Sequence, residues 1–395
     1  MNKKTVRDVD VRGKRVLVRV DFNVPLDPLG NVADDTRIRE ALPTIEYLKG
    51  QGAKVVLMSH LGRPKGNVVE SLRMAPVARE LERLLGQEVE TVPDCVGPEV
   101  EEAVRRMQPG TVLLLENLRF HPEEEANDPE FARRLAALGD LFVNDAFGTA
   151  HRAHASTVGV ARYLPAVAGL LMERELTTLS RLLEQPERPF AAIIGGAKVS
   201  GKLEVLRKLL EKVDVLVVGG GMANTFLLAQ GCEVGKSLVE PELVGEARAV
   251  IEDARRRGVR LVLPEDVVVA DRVDPEAQTS VVSVRDVPHD RMIVDIGPRT
   301  VQAIAEALAP ARTIFWNGPM GIFEVPPFAV GTKRVAEIVA RSTAITVIGG
   351  GDTIAAVQQL GLADRITHIS TGGGATLEFL EGKTLPGVAV LQERE

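Results

Sequence analysis

Cysteine is nearly absent from this 395-residue chain: Cys95 and Cys232 are the only two. Two thiols cannot build a disulfide framework or a cysteine-rich zinc site. Long apolar runs are missing too. The longest mostly apolar stretches span about ten residues, roughly half of what a bilayer crossing needs. The polar, charged segment from Met1 to Arg15 has no apolar signal-peptide core. A cytoplasmic protein with no membrane partner is the reading that follows. No long basic run offers a footprint for a phosphate backbone, so a dedicated nucleic-acid binder is disfavoured. No strand–helix turn carries GxGxxG, which disfavours a dinucleotide fold. The net charge is -7, from 48 basic and 55 acidic residues, and at first sight this weighs against an anionic ligand.

What the chain does have is 45% hydrophobic and 26% charged residues, a balance that suits more than one sizeable core. At about 150 residues per domain, two or three domains are expected. Short β-rich runs alternate with amphipathic stretches. The first half has Arg15–Phe22, Ala53–His60, Thr111–Phe120 and Leu141–Phe147, with helical patterns over Leu72–Leu85 and Glu99–Met107. The second half repeats the rhythm with Phe190–Gly195, Val213–Gly219, Val259–Leu263, Met292–Ile296, Thr313–Trp316, Ile345–Ile348 and Ile366–Ser370. This βαβα order predicts two doubly wound, mostly parallel α/β domains. Between them, Ala166–Gln185 places leucines at helical spacing and stops before Pro186. It reads as a joining helix, with domains at 1–170 and 186–379 and the helix itself over 171–185.

In open parallel sheets, ligands bind beyond the carboxyl ends of the strands. In the first half those ends supply Asp21, Asn23, His60, Arg63, Arg119 and Arg152, with Arg37 opening a helical stretch. Arginine binds carboxylate and phosphate with its planar fork, and Asp21 and Asn23 suit a hydroxyl. The implied ligand is small, anionic and hydroxylated, such as a phosphorylated sugar acid. Any one of these arginines alone reads as a surface ion pair; their recurrence at successive strand ends makes a site. In the second half the strand ends are glycine-rich: Gly195-Gly196-Ala197-Lys198, Gly219-Gly220-Gly221, Gly318-Pro319-Met320-Gly321, Gly349-Gly350-Gly351-Asp352 and Gly372-Gly373-Gly374. Such loops let backbone N–H groups approach phosphates. Lys198 and Lys202 can reach phosphate charge, Glu324 can accept from ribose hydroxyls, and Asp352 is either a Mg²⁺ ligand or a helix cap. Gly196–Lys202 also matches seven positions of a Walker A loop, but Leu203 stands where Ser or Thr must ligate Mg²⁺. A P-loop NTPase is therefore the second hypothesis, and a non-enzymatic scaffold on the same fold the third.

Motifs in both halves give the first hypothesis. VDFNVP at Val20–Pro25, SHLGRP at Ser59–Pro64, LENLRFH at Leu115–His121 and NDAFGTAHRAHAS at Asn144–Ser156 are followed by five more. These are GGAKVSGK at Gly195–Lys202, GGGMA at Gly219–Ala223, WNGPMGIFE at Trp316–Glu324, GGGDT at Gly349–Thr353 and STGGGA at Ser370–Ala375. In these blocks and their order, the chain closely resembles the phosphoglycerate kinase family from end to end. The resemblance implies a monomeric, hinge-bending glycolytic kinase. Its N-terminal domain would bind 3-phosphoglycerate or 1,3-bisphosphoglycerate through Asp21, Asn23, Arg37, His60, Arg63, Arg119 and Arg152. Its C-terminal domain would bind Mg²⁺ with ATP or ADP through Lys202, Gly219, Gly220, Gly297, Asn317, Glu324, Gly350, Gly351, Asp352 and Thr353, with Asp352 on the metal. Arg37, Lys198, Gly373 and Gly374 would serve catalysis, and the tail over 380–395 would pack back on the N-terminal domain. One departure is Gly201, where the family usually has Asp; that change creates the false Walker match.

Overall fold

The computed structural model describes residues 2–395. The chain divides into two compact units. One comprises the residues through Thr178 together with Thr384–Glu395, the other Leu179–Lys383.

The first unit is built on six strands: β1 (Arg15–Arg19), β2 (Lys54–Met58), β3 (Val89–Thr91), β4 (Val112–Leu114), β5 (Leu141–Asn144) and β6 (Ala166–Ala168). They pair in parallel in the order β3-β4-β2-β1-β5-β6. Val16, Leu17 and Val18 of the central strand are all fully buried, as expected for a parallel sheet covered on both faces. The cover comes from α1 (Thr36–Gly50), α2 (Ala75–Leu85), α3 (Pro98–Arg105), α4 (Pro122–Glu125) and α5 (Pro129–Ala136). Helix α2 buries Val77, Ala78, Leu81 and Leu85, one stripe at helical spacing. Helix α5 starts where the Asp128 carboxylate accepts the Phe131 N–H at 2.9 Å.

The chain leaves this unit through α6 (Leu170–Glu184). The leucine pattern over Ala166–Gln185 is thus helical only from Leu170 onward. Ala166–Ala168 instead pairs with Phe142–Asn144 as the edge strand β6. The closing segment returns to the same unit: Gly387 N–H donates to Ala150 O at 2.8 Å and Gln392 N–H to Ala166 O at 2.9 Å. Arg394 meets Asp8 at 3.1 Å.

The second unit has β7 (Phe190–Ile194), β8 (Val215–Val218), β9 (Arg260–Val262), β10 (Asp266–Ala270), β11 (Thr279–Ser283), β12 (Met292–Ile296), β13 (Thr313–Asn317), β14 (Ile345–Gly349) and β15 (His368–Ile369). Six of these form a parallel sheet in the order β15-β14-β13-β7-β8-β9. Its helices are α7 (Leu203–Leu210), α8 (Gly221–Ala229), α9 (Val244–Arg257), α10 (Pro298–Leu308), α11 (Val330–Arg341), α12 (Gly351–Gln359) and α13 (Gly374–Leu380). Met292–Ile296 is a strand, but not of the parallel sheet that the alternating rhythm suggests. It joins an antiparallel sheet in the order β11-β10-β12. Antiparallel neighbours need no crossover helix, which is why the helical rhythm lapses between Leu263 and Met292. β11 is also exposed over most of its length, so its hydrophobic signal is weak.

Candidate active site

On the first unit, the functional side chains gather at the carboxyl ends of β1, β2, β4 and β5. Just past β1, Asn23 N–H donates to Asp21 Oδ1 at 3.2 Å, and Asn23 Oδ1 accepts the Gly62 N–H at 2.8 Å. This ties the turn after β1 to the turn after β2. Arg37, in the first turn of α1, donates to Asn23 O at 2.7 Å and stands 3.5 Å from Asp21. Arg119 follows β4 in a short 3-10 turn, Leu118–Phe120, capped by the Asn117 side chain. Arg63 and Arg152 are exposed and make no ion pair among the described residues.

His60 is buried, and Arg19 Nη2 approaches its Nδ1 at 2.9 Å. Guanidinium can only donate, so Nδ1 accepts and the ring proton sits on Nε2. Burial, then the charges of Arg19, Arg119, His154 and Arg37, hold the imidazole well below its usual pKa. His60 is therefore a neutral hydrogen-bonding group, and the positive field comes from the arginines. His154 feels the same field: burial, Arg119, Arg19 and Arg152 push it down to about 4. The two histidines thus report that Arg19, Arg37, Arg119 and Arg152 converge.

Arg19 and His154 escaped sequence reasoning, as did the buried pair that steadies Arg19. Arg19 Nε donates to Ser156 Oγ at 2.8 Å, and Ser156 Oγ donates to Glu124 Oε2 at 2.5 Å. An arginine inside an apolar strand was the signal available for Arg19, since a buried charge needs partners.

On the second unit, glycine loops close over the ends of β7, β8, β13 and β14. Gly220 and Gly318 have φ of +73° and +100°, and any side chain there would strike the backbone of the Gly195–Gly196 turn. Trp316 locks the β13 loop, donating Nε1–H to Gly318 O at 2.8 Å, and Gly318 N–H donates to Thr353 Oγ1 at 2.8 Å. A cavity of about 280 Å³ lies here. Its walls include Gly196, Gly220, Met320, Ile322, Glu324 and Asp352. Its polar tips and apolar walls suit a nucleoside with attached phosphates. Asp295 also lines it; burial pushes its carboxyl up to about 7 while it accepts N–H bonds from Gly331 and Ile296, each at 2.8 Å. The sequence left Asp295 unnoticed, although an acid within the strand run Met292–Ile296 was visible.

Lys202 caps the start of α7 and its ammonium bonds Asn317 Oδ1. Burial pulls its pKa down to about 8. Asp352 lies in the first turn of α12, with its carboxyl pushed up by burial and by the Glu324 charge. Gly350, Gly351 and Thr353 surround the start of that helix, and Gly373 and Gly374 start α13. Gly219 ends the β8 turn beside Met320. Gly297 caps α10 and packs against Asp266, outside the set of cavity-lining residues. Lys198 is exposed, with Glu240 as its charged neighbour. Leu203 occupies the position where a P-loop needs its metal-binding hydroxyl, so α7 does not open with P-loop chemistry.

An arginine-rich cluster at the strand ends of one α/β unit and a glycine-lined, nucleotide-sized cavity on the other suit a phosphotransferase. The comparisons with known proteins make the family specific. The family model for phosphoglycerate kinase matches residues 6–383. The phosphoglycerate kinases of Moorella thermoacetica and Pelotomaculum thermopropionicum are 62% and 61% identical over 394 residues, with full coverage of both chains in each case. Among solved structures, the enzyme of Coxiella burnetii matches with a TM-score of 0.89 at 45% identity, and that of Pyrococcus horikoshii with 0.85 at 37%. Each of these alignments covers 98% of both chains. This chain belongs to the phosphoglycerate kinase family and is a kinase.

Proposed function

We propose that the chain catalyses reversible, Mg²⁺-dependent phosphoryl transfer between 1,3-bisphosphoglycerate and ADP, yielding 3-phosphoglycerate and ATP, as a cytoplasmic glycolytic monomer. The observation that carries this reading is the convergence of Arg19, Arg37, Arg119 and Arg152 on the neutral His60 and His154. Among the described residues, Asp21, Glu124 and Glu125 offset part of that charge, and the remainder favours a ligand carrying several negative charges.

In this reading the first unit is the 3-phosphoglycerate-binding domain. Asp21 and Asn23 hold the substrate's hydroxyl and carboxyl end, and Arg37, Arg63, Arg119 and Arg152 hold its charged groups. His60 donates a hydrogen bond from Nε2. The second unit is the nucleotide-binding domain: Lys202 binds phosphate, Glu324 the ribose, and the Gly219–Gly221, Gly297, Asn317 and Gly350–Thr353 regions frame the nucleotide. The cavity residues fit a divalent cation, because burial and then the Glu324 charge disfavour the ionised Asp352 carboxylate, and a cation beside it offsets both. Asp352 would hold Mg²⁺, which would neutralise phosphate charge.

Phosphoryl transfer of this kind is mostly positioning and charge stabilisation of an in-line, metaphosphate-like group. Arg37 from one domain and Lys198 from the other stabilise that group, together with N–H groups at Gly373 and Gly374. Direct transfer requires the two domains to close about their hinge, which also excludes water from the reactive acyl phosphate. A coupled assay with 3-phosphoglycerate, ATP and Mg²⁺ tests the proposal. Turnover that needs all three supports it; ATP hydrolysis without 3-phosphoglycerate, or no turnover, overturns it.

A further inference from the structure

Away from the sites described above, three side chains of different ligating chemistry meet on the first unit. Asp94 and Cys95 lie in the loop that leaves β3, and His121 is the N-cap of α4. A carboxylate oxygen, the thiol sulfur and an imidazole nitrogen lie within 4.8 Å of one another. His121 Nε2 stands 2.7 Å from Asp94 Oδ1, which also accepts the Cys95 N–H at 2.7 Å. Cys95 is fully buried and forms the floor, while Asp94 and His121 are partly open to solvent. The proposed phosphoryl transfer uses none of the three.

We propose that Asp94, Cys95 and His121 bind one divalent transition-metal ion of the zinc type, with water as the fourth ligand. Sulfur, nitrogen and oxygen donors together suit Zn²⁺, whereas a hard cation such as Mg²⁺ avoids sulfur. The site is thus chemically distinct from Asp352. Zinc bonds of about 2.0–2.3 Å place tetrahedral ligands roughly 3.3–3.8 Å apart. Binding therefore draws the donors in from a span of up to 4.8 Å and replaces the 2.7 Å His121–Asp94 hydrogen bond with two bonds to the metal. Binding also releases the thiol proton, so the sulfur ligand is the Cys95 thiolate.

The His121 ring packs on Phe131 with centroids 5.1 Å apart. Bound metal would staple the loop after β3 to the start of α4. That helix carries Glu124, which through Ser156 steadies Arg19. Arg119 lies two residues before the ligand His121. The ion would therefore act as a positioning and stabilising group for the arginine cluster.

The test is a Co²⁺ titration of the full chain after chelator treatment. One equivalent should produce a thiolate-to-cobalt charge-transfer band and the visible bands of a tetrahedral site, both removed by Zn²⁺. The bands should persist in Cys232→Ser and Asp352→Ala and vanish in Cys95→Ser. His121→Asn, at a partly exposed position, should weaken binding at least tenfold and serves if Cys95→Ser fails to fold. Zn²⁺ should raise the melting temperature of wild type and not of His121→Asn. Absence of a thiolate band, or a band that depends on Cys232, overturns the proposal.

Discussion

Arg37 holds its place through the Asn23 carbonyl rather than through its acid: the Asp21 contact is 3.5 Å and the Arg37 side chain is 41% exposed. Such a pair contributes only about 0–1 kcal/mol, so Arg37 can turn to a substrate oxygen at little cost. Arg37→Ala should accordingly leave stability within about 1 kcal/mol of wild type while lowering kcat by about 10²–10³-fold, the effect of losing one charge-stabilising donor. Steady-state kinetics beside a nucleotide-binding titration check this; an unchanged kcat would refute the role. Lys202 makes a different prediction. Its pKa is lowered from 10.5 to about 8 by burial, so the free protein loses this positive charge as pH rises through 8. Nucleotide affinity should therefore fall between pH 7 and 9. In Lys202→Arg, whose guanidinium stays charged, that decline should flatten, as calorimetric titrations across the range will read. The lowered pKa could not be seen in the sequence, where Lys202 is one of a pair with Lys198; burial separates the two.

Two elements show how local chemistry meets tertiary demand. Helix α7 begins without a side-chain cap, and a Cβ at Gly201 would meet nothing within 4 Å. The backbone there lies outside the left-handed region that demands glycine. Gly201→Asp, the residue that the family resemblance implies here, should be accommodated without strain. It adds a negative charge near the positive end of α7 and reduces the freedom of the unfolded chain. Together these should raise stability by about 0.5–1.5 kcal/mol with kcat near wild type, as denaturant unfolding and the coupled assay will show. Helix α6 is anchored by Asp145, whose Oδ1 accepts N–H bonds from Leu171 at 3.0 Å and Met172 at 3.3 Å. Burial raises this carboxyl from 3.8 to about 7. Between those values the folded state holds a proton that the unfolded state lacks, so the ionisation penalty is absent below about 4 and complete above about 7. The stability difference between wild type and Asp145→Asn should thus shift in favour of wild type as pH falls from 7 to 5, measured as paired melting temperatures. The leucine spacing made α6 legible from Leu170 onward. The strand Ala166–Ala168 was not, because only its pairing with β5 distinguishes it from a helical turn.

At the scale of the molecule, the last residues belong to the first unit. Leu385 and Leu391 are each 3% exposed, and the segment bonds the chain near both Lys4 and Ala166. Burying two leucines contributes about 3–6 kcal/mol, a large part of a typical domain's 5–15 kcal/mol. Deleting residues 384–395 should destabilise the first unit selectively. Calorimetry should show its transition lowered or lost, while ADP binding by the second unit survives. The net charge of -7 proves a poor guide at this scale. It governs solubility and long-range steering, whereas the proposed anion site rests on four arginines gathered in one place, within a half-chain whose own charge up to residue 170 is −2.

The sequence by itself determined the two parallel α/β units, the arginine and glycine residues at successive strand ends, and the family, because alternation, turn chemistry and motif order are local properties of the chain. Tertiary structure alone decided that His60 is neutral, that Lys202 titrates near 8 and that Asp295 faces the nucleotide-sized cavity. It also decided that Met292–Ile296 runs in an antiparallel sheet and that Asp94, Cys95 and His121 meet. The reason is common to all of these: burial and electrostatic field are sums over neighbours brought together from distant parts of the chain, and no window of sequence contains them.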